Sequence, residues 1–162
     1  MEEIRAVMEL DFESILGLND AEVRQTSQMD MDRLLQLVRM STFCRVATIE
    51  GQVAAFLIAL RDGVPYENDN YRWFSSRFSS FLYVDRIVVS SQFAGRRIGS
   101  RLYDELFAFA RSQGIGAVVC EYNVVPPNPA SRAFHDRFGF RELGRQWVAG
   151  GTKQVSLQAA GT

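Results

Sequence analysis

Tyr83-Val84-Asp85-Arg86-Ile87-Val88-Val89-Ser90-Ser91-Gln92-Phe93-Ala94-Gly95-Arg96-Arg97-Ile98-Gly99-Ser100 is the stretch that decides how this chain folds. Phe81 to Val89 is rich in β-branched and aromatic residues and carries the strongest strand signal in the sequence. From Ile98 to Gln113 the apolar residues Leu102, Leu106, Phe109 and Ala110 recur at helical spacing, and Gly114 ends the run. A strand thus passes through a glycine-bearing loop, Gln92 to Ser100, directly into a helix. The first turn of such a helix leaves backbone N–H groups without intrahelical partners, and the aligned peptide dipoles add positive potential there. Gly95 and Gly99 let an anion approach the backbone, and Arg96 and Arg97 add charge, so the loop suits a pyrophosphate. Taken alone, the same residues serve a tight turn with a solvated arginine pair equally well. A Walker A loop would need Lys-Ser/Thr after its second glycine, where this chain has Ser100-Arg101. The dinucleotide pattern Gly-x-Gly-x-x-Gly is absent.

On the N-terminal side, Ile4 to Val7 reads as a short strand, and Asp11 suits the N-cap of a helix through Leu18. Asp30 or Asp32 caps a second helix whose apolar face is Leu34, Leu35, Leu37 and Val38. Thr42 to Ile49 and Gln52 to Leu60 form a hairpin about Glu50-Gly51. Arg61 to Ser80 is turn-rich at Asp62-Gly63-Val64-Pro65 and then aromatic at Tyr66, Tyr71, Trp73, Phe74 and Phe78, with a short helix expected over Asn70 to Phe78. A connection this long inside a compact domain is often functional. On the C-terminal side, Ala117 to Tyr122 reads as a strand, and Pro129 after Asn128 opens a helix to about Phe138 that Gly139 closes. Phe140 to Val148 and Gln154 to Leu157 complete the strands. Without repeats or a linker, residues 1–162 are expected to be a single α+β domain with a mixed central sheet.

A chain of 162 residues that is 47% hydrophobic and 23% charged can bury a core. Its formal net charge of −1 argues against a nucleic-acid binder that works by broad phosphate neutralisation. Cys44 and Cys120 lie in separate apolar runs, which predicts two buried thiols in a reducing compartment and neither a disulfide nor a metal site. No signal peptide and no apolar run long enough to span a membrane is visible, so a cytoplasmic location is expected.

Asn128-Pro129-Ala130-Ser131-Arg132-Ala133-Phe134-His135-Asp136-Arg137-Phe138-Gly139-Phe140 resembles the closing helix of the GNAT superfamily of N-acetyltransferases. Gln92, Gly95 and Gly99 resemble that family's acetyl-CoA loop, and the two motifs stand at the family's spacing. The resemblance is specific from about Phe81 to Leu157 and diffuse before it. Asn70-Tyr71-Arg72-Trp73-Phe74, Tyr83-Val84-Asp85-Arg86 and Pro126-Pro127-Asn128-Pro129 look like a bacterial subgroup of predicted acetyltransferases. Two positions depart from the pattern. Arg97 stands where the family often has Gly or Ala, which a helical residue with an outward side chain would tolerate. His135 stands where many members carry a Tyr thought to protonate the leaving thiolate.

The resemblance implies a GNAT-like, mostly antiparallel sheet with helices on both faces, splayed between its two central strands. It implies acetyl-CoA as co-substrate, no metal, and transfer of the acetyl group to a primary amine of a small molecule or amino-acid-like acceptor. The donor would be held by Ile87, Val88, Val89, Gln92, Gly95, Arg96, Arg97, Ile98, Gly99, Ser100, Asn128, Ser131 and Phe134. A backbone N–H near Val88 or Val89 would face the thioester oxygen. Asp85 and Glu121 are the candidate bases, and His135 is the candidate acid; Asp85 serves equally to pair with Arg86, and Tyr83, Tyr103 and Tyr122 are alternative acids. Residues 61–80 would form a lid in which Tyr71, Trp73 and Phe74 enclose the amine, while Arg72 or Arg86 binds a carboxylate on it. Trp73 and Phe74 serve equally to pack the segment. An acyl-CoA-binding or sensing module of low activity and a protein N-terminal or lysine acetyltransferase stand as the other readings. No nucleic-acid or membrane partner is expected, and a homodimer is left open.

Overall fold

The computed structural model describes residues 1–23 and 26–162. Its strands are β1 (Glu2–Ala6), β2 (Ser41–Ile49), β3 (Gln52–Arg61), β4 (Leu82–Val89), β5 (Ala117–Val125), β6 (Arg141–Val148) and β7 (Lys153–Gly161). Its helices are α1 (Phe12–Ala21), α2 (Met31–Met40), α3 (Asp69–Ser75), α4 (Ile98–Ser112) and α5 (Pro129–Arg137). The strands follow the order β1-β2-β3-β4-β5-β7-β6, which makes a seven-stranded, mostly antiparallel sheet flanked by helices. The parallel β4–β5 ladder includes the rungs Leu82↔Val118 and Tyr83↔Val119.

Local chemistry explains the element boundaries. Glu50 and Gly51 both adopt positive φ, 50° and 79°, as a two-residue hairpin with strand-matched twist requires. Asp30 caps α2 by accepting the Arg33 N–H at 2.8 Å. Asp11 precedes α1 as expected, yet its carboxylate makes no cap bond. Arg5 takes it instead, with Nη1 donating to Oδ2 at 2.7 Å and Nη2 to Oδ1 at 2.8 Å. That bidentate pair holds the Asp11 carboxyl below its ordinary range. The final strand is longer than Gln154 to Leu157, because its apolar and small residues continue to Gly161 in register with β5.

The chain divides into two compact units, Met1–Leu60 with Val84–Ala108 and Arg61–Tyr83 with Phe109–Thr162. The first has a core of Ile15, Leu34, Leu37, Phe43, Phe56, Leu57, Tyr103 and Leu106. The second is built on Tyr71, Phe74, Phe81, Tyr83, Val118, Val119 and Leu157. Both cysteines are buried, and burial pushes the Cys44 thiol up to about 12.

Within the second unit, residues 61–80 are fastened down where the sequence suggested a lid. Asn68 caps α3 by accepting from the Asn70 and Tyr71 amides, each at 3.0 Å. The Tyr71 hydroxyl donates to the Arg61 carbonyl at 2.7 Å and accepts from the Val64 amide at 3.2 Å. Asp62 Oδ1 accepts from the Phe81 amide at 3.0 Å, which fixes the start of β4. Tyr71 packs edge-on against Tyr66, Phe81 and Tyr83.

Candidate active site

In the first unit, Ser90 caps a one-turn 3-10 helix, Ser91–Phe93, that leads into the glycine loop. Gly95 has φ +83°, and a Cβ built there would meet nothing within 4 Å, so the backbone is bare on that side. Arg97 follows with φ +59°. This corrects the expectation that it is helical: the chain needs a left-handed residue just before α4, a conformation that glycine adopts without strain and arginine does not. The Arg97 carbonyl accepts the first α4 bond, from the Arg101 amide at 3.1 Å. The amides of Ile98, Gly99 and Ser100 therefore lie in the turn where α-helices lack internal partners. Gln92, Arg96 and Arg97 are exposed, and Arg96 stacks over Phe93 with 5.5 Å to the ring centre. This loop can hold a pyrophosphate.

The Ser90 amide donates to the Ala54 carbonyl of β3 at 2.8 Å. Successive peptide groups along a strand point in opposite directions, so the Val89 amide is directed away from β3. By the same alternation Ile87 shares this direction and Val88 does not, and of the two outward amides Val89 is the one next to the loop.

Asp85 and Arg86 pair with each other. Arg86 Nε donates to Asp85 Oδ2 at 2.8 Å, Nη1 reaches Asn19 Oδ1 at 3.1 Å and the Ser27 carbonyl at 3.0 Å, and Nη2 reaches Ser27 Oγ at 3.2 Å. Asn19 is fully buried and donates to the same Ser27 carbonyl at 2.9 Å. Arg86 is thus a structural tie between β4, α1 and Ser27, which leaves it poorly suited to an acceptor carboxylate.

In the second unit, the Tyr83 hydroxyl donates to Glu121 Oε1. Glu121 lies two residues beyond the Tyr83↔Val119 rung and is half-buried. His135, buried in α5, hydrogen-bonds through Nδ1 to the Ser131 carbonyl at 2.7 Å, with Ser131 Oγ at 3.3 Å. Its ring rests on Tyr122, Phe134 and Phe140. Burial lowers its pKa, so the neutral imidazole is favoured. Asn128 Oδ1 caps α5 through the Ser131 amide at 3.2 Å. Phe134 is half-buried, with Arg137 over its ring at 5.6 Å.

Among the expected acceptor residues, Tyr71 is buried with its hydroxyl on backbone groups, and Arg72 is exposed and paired with Asp69 at 3.5 Å. Trp73 lies under Arg77 at 3.7 Å and against Gly144. Asn19, Ser27 and Glu2, which contacts Arg96 and Arg101, were not singled out from sequence. Each acts on residues about 60 to 100 positions away, and no local pattern carries that information. Among the described residues no group of three metal-ligating side chains is assembled, and no helix is long and apolar enough to cross a membrane.

The model of the acetyltransferase (GNAT) family matches residues 4–140. No curated protein matches the sequence. Many solved structures share the fold. Ard1 from Thermoplasma volcanium superposes with a TM-score of 0.80 at 17% identity, covering 99% of this chain and 97% of that one. The ribosomal-protein-alanine N-acetyltransferase from Brucella melitensis gives 0.75 at 22% identity, covering 99% of each chain. An N-acetyltransferase from Staphylococcus aureus Mu50 gives 0.76 at 17% identity, covering 99% of this chain and 98% of that one.

Proposed function

The chain belongs to the acetyltransferase (GNAT) family, and from that membership we propose that it transfers an acetyl group from acetyl-CoA to a primary amine of a small molecule or amino-acid-like acceptor. The observation that carries this reading is the loop before α4. Gly95 leaves open space above its backbone, Arg97 takes a left-handed turn, and the first-turn amides follow directly. A pyrophosphate accepts those amides and is favoured by the helix dipole and by Arg96 and Arg97.

The Val89 amide is assigned to the acyl oxygen, where negative charge grows during attack. An alkylamine with a pKa of about 10.4 must lose a proton before it can attack. Glu121 is assigned that role through a water molecule, with the Tyr83 hydroxyl fixing its carboxylate. Asp85 is less suited, because the Arg86 guanidinium already holds it. His135 is assigned to packing and to the Ser131 carbonyl: proton donation would require the charged imidazole, which its burial disfavours. The departing thiolate, whose conjugate thiol has a pKa of about 8.5, can take its proton from water instead.

A second reading, acetylation of a peptide α-amine, is favoured by one observation. Tyr71 and Phe74, two of the three aromatic residues expected to enclose the amine, point into the core of their own unit, and the third, Trp73, is covered by Arg77 and packs against Gly144, so they do not narrow the acceptor class to small amines. Both readings are tested by incubating the protein with acetyl-CoA and a panel of amines, amino acids and short peptides with free or blocked N-termini, following thiol release. Turnover restricted to small amines supports the first reading, and turnover restricted to free peptide N-termini supports the second. Thermal protection by CoA without turnover on any acceptor would leave a donor-binding module and contradict both.

A further inference from the structure

Glu2 opens β1 with its carboxylate between two arginines of the loop and helix just described. Its Oε2 lies 2.5 Å from Arg101 Nη2, and its Oε1 lies 3.9 Å from Arg96 Nη1. Arg96 stands two residues before α4, and Arg101 closes the first turn of that helix. Helical side chains lean toward the N-terminus, which carries the Arg101 guanidinium back over the loop. All three groups are partly exposed, with side-chain exposures of 35% for Glu2, 40% for Arg101 and 53% for Arg96. Ion pairs in such positions are weak and exchange readily. A phosphate group offers a guanidinium more charge and more acceptor oxygens than a carboxylate does.

We propose that Glu2 is an affinity-determining residue of the donor site: an internal carboxylate that occupies Arg96 and Arg101 until a phosphate of the donor displaces it. The inference rests on the donor reading of residues 92–100. Glu2 lowers the positive potential that any passing anion meets at the loop. A ligand must then bring several phosphate charges to engage both arginines, which selects a phosphorylated donor over small monovalent anions.

The experiment is calorimetric titration of CoA, 3′-dephospho-CoA and pantetheine into the wild-type chain, Glu2→Gln, Arg101→Ala and the double variant, at about 10 mM and about 500 mM salt. Glu2→Gln is expected to tighten CoA about threefold at low salt, with the gain fading at high salt as screening grows. Pantetheine, which has no phosphate, should show no gain, and Arg101→Ala should diminish the gain for CoA. Retention of the gain with 3′-dephospho-CoA would support displacement by the pyrophosphate, and its loss would support displacement by the 3′-phosphate. Unchanged or weakened CoA binding in Glu2→Gln, or an equal gain for pantetheine, would overturn the inference. Failure of the wild-type chain to bind CoA at either salt would overturn the donor-site reading and this inference with it; binding without a Glu2 effect overturns the inference alone.

Discussion

Arg86 Nε donates to Asp85 Oδ2 at 2.8 Å, and the two side chains, neighbours in sequence, are only 6% and 3% exposed. This pair is also the anchor for Asn19 and Ser27. Arg86→Met would leave the Asp85 carboxylate buried beside an apolar chain and release Ser27. Removing one member of such a pair costs about 3–5 kcal/mol, to be read by urea unfolding. Asp85→Asn keeps the shape, and the pH profile of kcat/KM should be unmoved by it. A shifted profile with intact stability would return the base role to Asp85.

Arg97 carries a positive φ of 59° that any L side chain adopts at a cost. Arg97→Gly removes that strain, worth about 1 kcal/mol, and should raise Tm by roughly 2–4 °C for a chain of this size. The same variant loses one positive charge from the loop, so CoA affinity should fall. Opposite signs for stability and affinity are the expected signature. A loss of stability would contradict the left-handed assignment.

His135 is the only histidine, which makes its contribution to pH dependence separable. Burial depresses its pKa in the folded state relative to an unfolded value of about 6.5. The unfolded chain therefore binds the proton more readily. Stability is fully present above about pH 6.5 and falls as the pH drops below it, until the folded-state value is passed. Urea unfolding at stepped pH should show this slope in the wild-type chain and lose it in His135→Gln. A slope that persists in the variant would assign it to carboxylates instead.

Gly144 on β6 is forced by Trp73. A Cβ at this position would lie 2.7 Å from Trp73 Cζ2, while Arg77 covers the indole ring at 3.7 Å. Gly144→Ala should cost about 1–3 kcal/mol through overpacking and shift the indole fluorescence. No change in either would show that Trp73 moves freely off the strand.

The parts of this protein that were legible in the sequence are those governed by neighbours along the chain. The hairpin at Glu50-Gly51, the cap at Asp30, the start of α5 at Asn128-Pro129 and the stop at Gly139 all follow from turn and cap chemistry. The passage from β4 through a glycine-bearing loop into α4 was legible for the same reason, since strand, glycine and helix are contiguous. Residues whose role depends on distant partners were not. Tyr71 and Phe74 look alike as lid or as core until their neighbours are known, and Tyr66, Phe81 and Tyr83 make them core. Asp85 could be read as a base because nothing near it announces Asn19 or Ser27. Arg97 was misplaced because an arginine carries no sign of a left-handed backbone, as a glycine would.

The most direct test of the donor site is a calorimetric titration of CoA into the wild-type chain, Gly95→Glu and Arg96→Glu, with circular dichroism as the control for folding. Gly95→Glu puts a negative side chain into the open space above the loop, and Arg96→Glu reverses a charge at an exposed position of ordinary backbone. The account predicts saturable one-site binding to the wild-type chain and its loss in both variants while the fold is retained. Absence of binding to the wild-type chain, or equal affinity in all three proteins, would contradict it.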